Sequence, residues 1–182
     1  MTHPRTPSQL RNFWFSDAVR PYWFKASDKI DRRITKEFGA TYQAARDGAL
    51  DGWLARPDDA LALVIALDQF PRNMFRGSAR SFESNDRALA AARLSVERGF
   101  DAAVSDEARP FFYLPFMHSE NLADQDRSVA LYEALGAEAN LRAAYSHRDI
   151  IARFGRFPHR NAALNRPNTP DETEFLKTHP RF

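Results

Sequence analysis

Apolar residues in this chain recur at three- and four-residue spacing and almost never alternate. In "SDKIDRRITKEFGATYQAARDG" Ile30, Ile34, Phe38 and Tyr42 stand four apart, which puts them in one stripe along a helix that Gly48 closes. "DDALALVIALDQF" is apolar nearly all round and predicts the central buried helix, with Pro71 expected to end it. Thr6-Pro7 reads as a cap and first helical position for "SQLRNFWF". Ser84/Asn85 opens a helix that stops at Gly99, Ser105 is placed to cap "DEARPFFYL", and Ser119 to cap "ENLADQDRSVALYEALG", whose apolar positions are Leu122, Val129, Tyr132 and Leu135. "EANLRAAYSHRDIIARFG" carries Leu141, Tyr145, Ile151 and Phe154 before Gly155, and "TPDE" from Thr169 is a capping box for a last short helix. No sustained strand alternation occurs, and no Asn-Gly or Asp-Gly pair stands between alternating runs as a hairpin turn. The pattern predicts an all-α fold of seven or eight helices in a single domain over residues 1–182, without linker or low-complexity segment.

Composition narrows the classes of function. With 182 residues, 43% of them hydrophobic and 15 of them Phe, the chain can bury a sizeable core. The absence of cysteine excludes disulfides, Cys-ligated metal and thiol nucleophiles. Acids and bases are interleaved around a net charge of +2, without the concentrated basic face of a nucleic-acid protein, so nucleic acid is not an expected partner. The longest apolar run, "ALALVIAL" from Ala60, is far short of the roughly 20 residues of a membrane span. No secretion-type leader pattern opens the chain, so the expectation is a cytoplasmic protein with no membrane partner.

The candidate chemistry gathers at two similar corners. "LDQFPRNMFRG" and "FGRFPHRN" each carry Phe-Pro followed by Arg-Asn, with His159 inserted in the second. A mechanical reading suffices for each: proline stops the helix, phenylalanine packs, arginine faces the terminal carbonyls, and asparagine accepts a left-handed turn. The functional reading starts from Asp68, a carboxylate on the most apolar helix, which must be paired and has Arg72 four residues on. His118 and Glu120 flank Ser119, His147 and Asp149 precede the second corner, and His159 lies in it. Histidine moves protons near neutral pH. Catalytic candidates are therefore His118, Glu120 and His159, with Glu120 or Asp149 orienting the histidine. Asp68, Arg72, Asn73, His147, Arg156, Arg160 and Asn161 are candidates for ligand binding, the guanidinium groups favouring an anionic ligand. The histidines and Glu120 lack the spacing of a metal site, and no metal is expected. Nor is a cofactor expected, since phosphate-loop and dinucleotide fingerprints are absent.

Three blocks, "LDQFPRNMFRG", "FYLPFMHSENLADQ" and "HRDIIARFGRFPHRN", resemble the signature blocks of the bacterial family called domain of unknown function 924. Trp14-Phe15, the Trp53 region and the tail "LNRPNTPDETEFL" are similar to it as well. The tail departs in two places: Asn165 stands where the family commonly has glycine, and Asn168 precedes Thr169 where serine is usual. The resemblance implies a helical fold similar to tetratricopeptide arrays and supplies no reaction. Two functions remain in play: a polar Arg/His-lined cleft that binds or transforms a small anionic ligand, or a helical module that binds a peptide or protein partner while the corners serve only the fold. Whether the chain is an enzyme stays open on the sequence.

Overall fold

The computed structural model describes residues 3–179. Among them are eight α-helices and no strand. Contacts group the chain into two compact units, one running to Arg76 and resuming over Arg80–Pro115, the other made of Gly77–Ala79 and the residues from Phe116 onward.

The first unit is organised around α3 (Pro57–Met74), which packs on α1 (Pro7–Trp14), α2 (Asp28–Arg46) and α4 (Asn85–Glu97). Every residue of α3 from Ala60 to Pro71 is buried, as its unbroken apolar run dictates. Phe70 meets Trp14 and Phe38 at ring separations of 5.8 and 5.2 Å. Thr6 caps α1 in a reciprocal capping box with Gln9, and the Ile30, Ile34, Phe38 and Tyr42 stripe of α2 is buried. Phe111, near the start of α5 (Pro110–Met117), packs edge-on to Trp14, Phe15 and Trp23.

Pro71 does not end α3, which continues to Met74. A proline inside a helix removes one hydrogen bond and strands the carbonyl four residues earlier. Here that carbonyl belongs to Leu67, and it accepts from Ser84 Oγ at 2.6 Å. The first "corner" is thus a repaired helix, and Asn73 sits inside it rather than in a left-handed turn. Ser84 stands at the start of α4 as expected, but its side chain makes no cap because it serves α3. Ser105 does not cap a helix either: Pro110 disfavours helical geometry in the residue before it and takes the first position of α5.

In the second unit α6 (Leu122–Leu135) and α7 (Glu138–Phe154) are neighbours joined by the left-handed Gly136 and by Ala137. So short a connection makes them antiparallel. The cap of α6 is Asn121, whose side chain accepts from Ala123 N–H, while Ser119 Oγ is taken by Asp124 Oδ2 at 2.7 Å. Leu122, expected on the buried stripe, is 42% exposed. Gly155 ends α7, a short 3₁₀ turn covers Pro158–Arg160, and α8 (Pro170–Thr178) starts from the capping box of Thr169 and Glu172. The apolar core beneath is Ile150, Ile151, Phe157 and Phe175. Among the described residues no helix is long and apolar enough to cross a membrane.

Candidate functional site

The two corners belong to different units. In the first, helical spacing brings Arg72 back onto Asp68, with Nη2 3.3 Å from Oδ1. Asp68 is 1% exposed, and Gln69 Nε2 donates to its other oxygen. The guanidinium also donates to Asn85 Oδ1 at 3.1 Å and to the Asp68 carbonyl at 2.8 Å. Asn73 Nδ2 donates to Asp31 Oδ1 at 2.8 Å, and Arg76 forms a fork on the same carboxylate. Asp68, Arg72 and Asn73 therefore tie α3 to α2 and α4.

In the second unit the chain from Arg156 to Glu172 folds back through a polar network. Glu120, just before α6, accepts Phe157 N–H at 2.8 Å and the two ends of Arg166 at 2.7 and 3.0 Å. Burial pushes the Glu120 carboxyl up, but the Arg166 pair and the Phe157 N–H outweigh it and hold it below the usual carboxylate range. Arg166 Nε also donates to Asn161 Oδ1 at 2.9 Å, and Asn161 Nδ2 donates to Asn168 Oδ1 at 2.8 Å. Asn161 keeps ordinary right-handed backbone geometry; the left-handed non-glycine residue is Asn165, at φ 53°. Arg156 grips Glu172 with Nε at 2.6 Å and Nη2 at 2.8 Å. That fork, aided by Thr169 N–H, holds the Glu172 carboxyl down at about 2.

The histidines fall into two places. His159 makes a 2.6 Å hydrogen bond through Nε2 to the His179 carbonyl and lies edge-on to Phe175, so its ring holds the end of α8, and burial lowers its pKa. His147, on α7, directs Nδ1–H to the Ala143 carbonyl at 2.8 Å, which leaves the lone pair on Nε2. Burial, followed by the neighbouring charges of His118 and Arg160, lowers His147 to about 4, so its imidazole is neutral at neutral pH. The His118 ring lies 6.4 Å away, centroid to centroid. Arg160 donates Nη2 to the His118 carbonyl at 2.8 Å and lies 4.3 Å over the Phe157 ring. Asp149 is on the exposed side of α7, where Arg148 reaches it at 3.8 Å.

Thus the second unit brings together His118, Glu120, His147, Arg160 and Asn161, with Arg156 at the α8 end and His159 on the α8 tail. An open cavity of about 470 Å³ also lies on this unit, lined by Arg153, Phe154, Arg156, Thr169, Asp171 and Glu172. Among the candidates named from the sequence, only Arg156 lines it. The sequence reading missed Arg166 and Glu172 as members of the network. Glu172 was legible only as the third residue of a capping box, and Arg166 only as part of the tail block. Among the described residues no three His, Asp or Glu side chains gather as metal ligands do.

An all-helical protein with a histidine–arginine cluster is the class that this geometry defines. The family model described as "Bacterial protein of unknown function (DUF924)" matches residues 10–179, and the chain belongs to that family. A solved structure of a protein of unknown function from Agrobacterium tumefaciens, ATU0120, is 42% identical, with a TM-score of 0.91 over 95% of this chain and 97% of that one. No curated protein matches.

Proposed function

We propose that the second corner binds a small anionic ligand, a carboxylate or phosphate ester, with Arg160 as the cation that receives it. The observation that carries this reading is the packing of the His147 ring 6.4 Å from that of His118, with Arg160 on the His118 carbonyl. Burying a histidine so that it stays neutral down to about pH 4 destabilises the fold in mild acid. The two imidazoles and the guanidinium, which also lies 3.9 Å from Glu120, form a cluster that can receive an anion. In this reading His147 and His118 line the site beside Arg160, and Glu120, Asn161 and Arg166 are the frame that holds Arg160 and the corner in place. The test is thermal unfolding of the purified protein against inorganic phosphate, succinate and malate. A rise in melting temperature that Arg160→Gln abolishes supports the site; equal response of both proteins removes it.

The interaction module has one observation on its side. In the first unit Phe24 is 72% exposed and Tyr22 36%, neighbours on a single turn. In this reading the two side chains would seat a protein partner, as exposed apolar patches do. Loss of self- or partner association in Phe24→Ser, measured by light scattering, tests that reading.

A further inference from the structure

The twelve residues from Lys25 to Lys36 carry five cations against two acids, more positive charge than the net +2 of the whole chain. In sequence the two signs are interleaved; the helix sorts them. At 3.6 residues per turn Lys29, Arg32 and Lys36 fall within an arc of roughly 60° on α2, opposite the buried stripe of Ile30, Ile34 and Phe38. Asp31 and Glu37 fall on the two flanks of that arc and are taken there. Asp31 receives Asn73 and the Arg76 fork, with Arg76 Nη2 at 3.0 Å, and Glu37 pairs with Arg33 at 3.1 Å. Lys29, Arg32 and Lys36 are exposed, and among the described residues none of them pairs with a carboxylate. Asp28, in the first turn, stands at the edge of this face, where the helix dipole favours an acid.

The chain enters α2 past Phe24, 72% exposed, and the exposed Lys25. The Phe24 ring is not loose. It stacks on Phe111 at 6.4 Å and 8°, and Phe111 is itself buried against Trp14, Phe15 and Trp23. A held aromatic suits a contact, because little side-chain freedom is lost when it is covered. Phe24 and Lys29 are five residues apart and so at most roughly 18 Å from each other, and Lys29 and Lys36 are about 10 Å apart along the helix. One side of an ordinary protein interface, about 800 Å², spans that length.

We propose that this face of the first unit docks an acidic segment of a partner protein, a row of Asp or Glu side chains set beside an apolar one that covers Phe24. The proposal rests on the interaction-module reading above and names the chemistry of its partner. Charge complementarity picks the class: three unpaired cations in a row favour carboxylates and repel a basic partner. An anionic bilayer fits less well, since the apolar stripe of α2 faces the core and leaves only Phe24 and Tyr22 to enter the headgroups. Nucleic acid fits less well too, because it draws on a broad basic surface, and outside these twelve residues acids slightly outnumber bases.

Fluorescence anisotropy with a labelled peptide of glutamates bearing a leucine at each turn tests the face, against the same peptide with lysine for glutamate. The wild type should bind the acidic peptide and not the basic one, and several-fold more weakly when sodium chloride is raised to about 0.15 M. The triple change Lys29→Glu/Arg32→Glu/Lys36→Glu should weaken binding roughly tenfold or more, and Phe24→Ser should weaken it as well, at an unchanged melting temperature. The milder Lys29→Gln/Arg32→Gln/Lys36→Gln, which only removes charge from exposed positions, should give a smaller loss of the same sign. No binding of the acidic peptide, equal binding of both peptides, or a triple variant that binds as the wild type does overturns the acidic partner. If Phe24→Ser then still alters association in light scattering, the module reading survives; if it does not, both fall. Tighter binding of phosphatidylglycerol vesicles or of oligothymidylate through the same side chains gives the face to a membrane or a nucleic acid and overturns the proposal too.

Discussion

Ser84 donates its hydroxyl to the Leu67 carbonyl at 2.6 Å, in place of the hydrogen bond that Pro71 cannot give. Ser84→Ala would leave that buried carbonyl unsatisfied and should lower stability by about 1–3 kcal/mol. In a Pro71→Ala background the backbone N–H returns, and the same serine change should cost about 1 kcal/mol less. Urea denaturation of the four proteins of this cycle measures the coupling, and additive costs would mean that the hydroxyl does not repair the helix.

Asp68 is expected to be the most costly carboxylate of the first unit to delete. Asp68→Ala strands the Arg72 guanidinium between Asn85 and the helix, and the loss should be roughly 3–5 kcal/mol. A loss below about 1 kcal/mol would be that of an exposed pair and would contradict the burial of Asp68.

Stability should respond to pH through His147. Its folded pKa is lowered from 6.5 to about 4, so between those values the unfolded chain binds the extra proton. Stability therefore falls as the pH drops from 6.5 towards 4 and is full above 6.5. The limb should amount to about 2–3 kcal/mol and should flatten in His147→Gln, read from chemical denaturation at pH 7.5 and 5.

Glu172 governs a lower window. Its folded pKa of about 2 lies below its ordinary 4.5, so the stabilisation is present above 4.5 and lost as the pH falls towards 2. Glu172→Gln should abolish that limb and weaken the protein at pH 7, because the Arg156 fork loses its charge. Acid titration of the unfolding midpoint separates this limb from that of His147.

Asn165 occupies left-handed backbone at φ 53°. Asn165→Gly should be neutral to slightly stabilising, whereas Asn165→Ala should cost about 1 kcal/mol. Comparable melting temperatures for the two variants would show that the turn relaxes to accommodate alanine.

The helices were readable because caps and apolar spacing are local signals. The Thr6 cap, the Thr169 box and the α2 stripe stand where the sequence puts them. Pro71 misled because its repair comes from Ser84, thirteen positions away, and α6 misled because its buried face is polar at Asp124, Gln125 and Ser128. Periodicity sees only hydrophobic faces. The Asp68–Arg72 pair was legible from helical reach alone, while Arg166 on Glu120 joins residues 46 apart through a loop that no periodic pattern describes.

Glu172 also couples the last helix to the corner. A nine-residue helix has little helicity alone, since nucleation outweighs so few bonds. The same carboxylate that caps α8 receives Arg156 and touches Asn161. Glu172→Gln should therefore loosen the last helix and the corner together, seen as faster amide exchange in both.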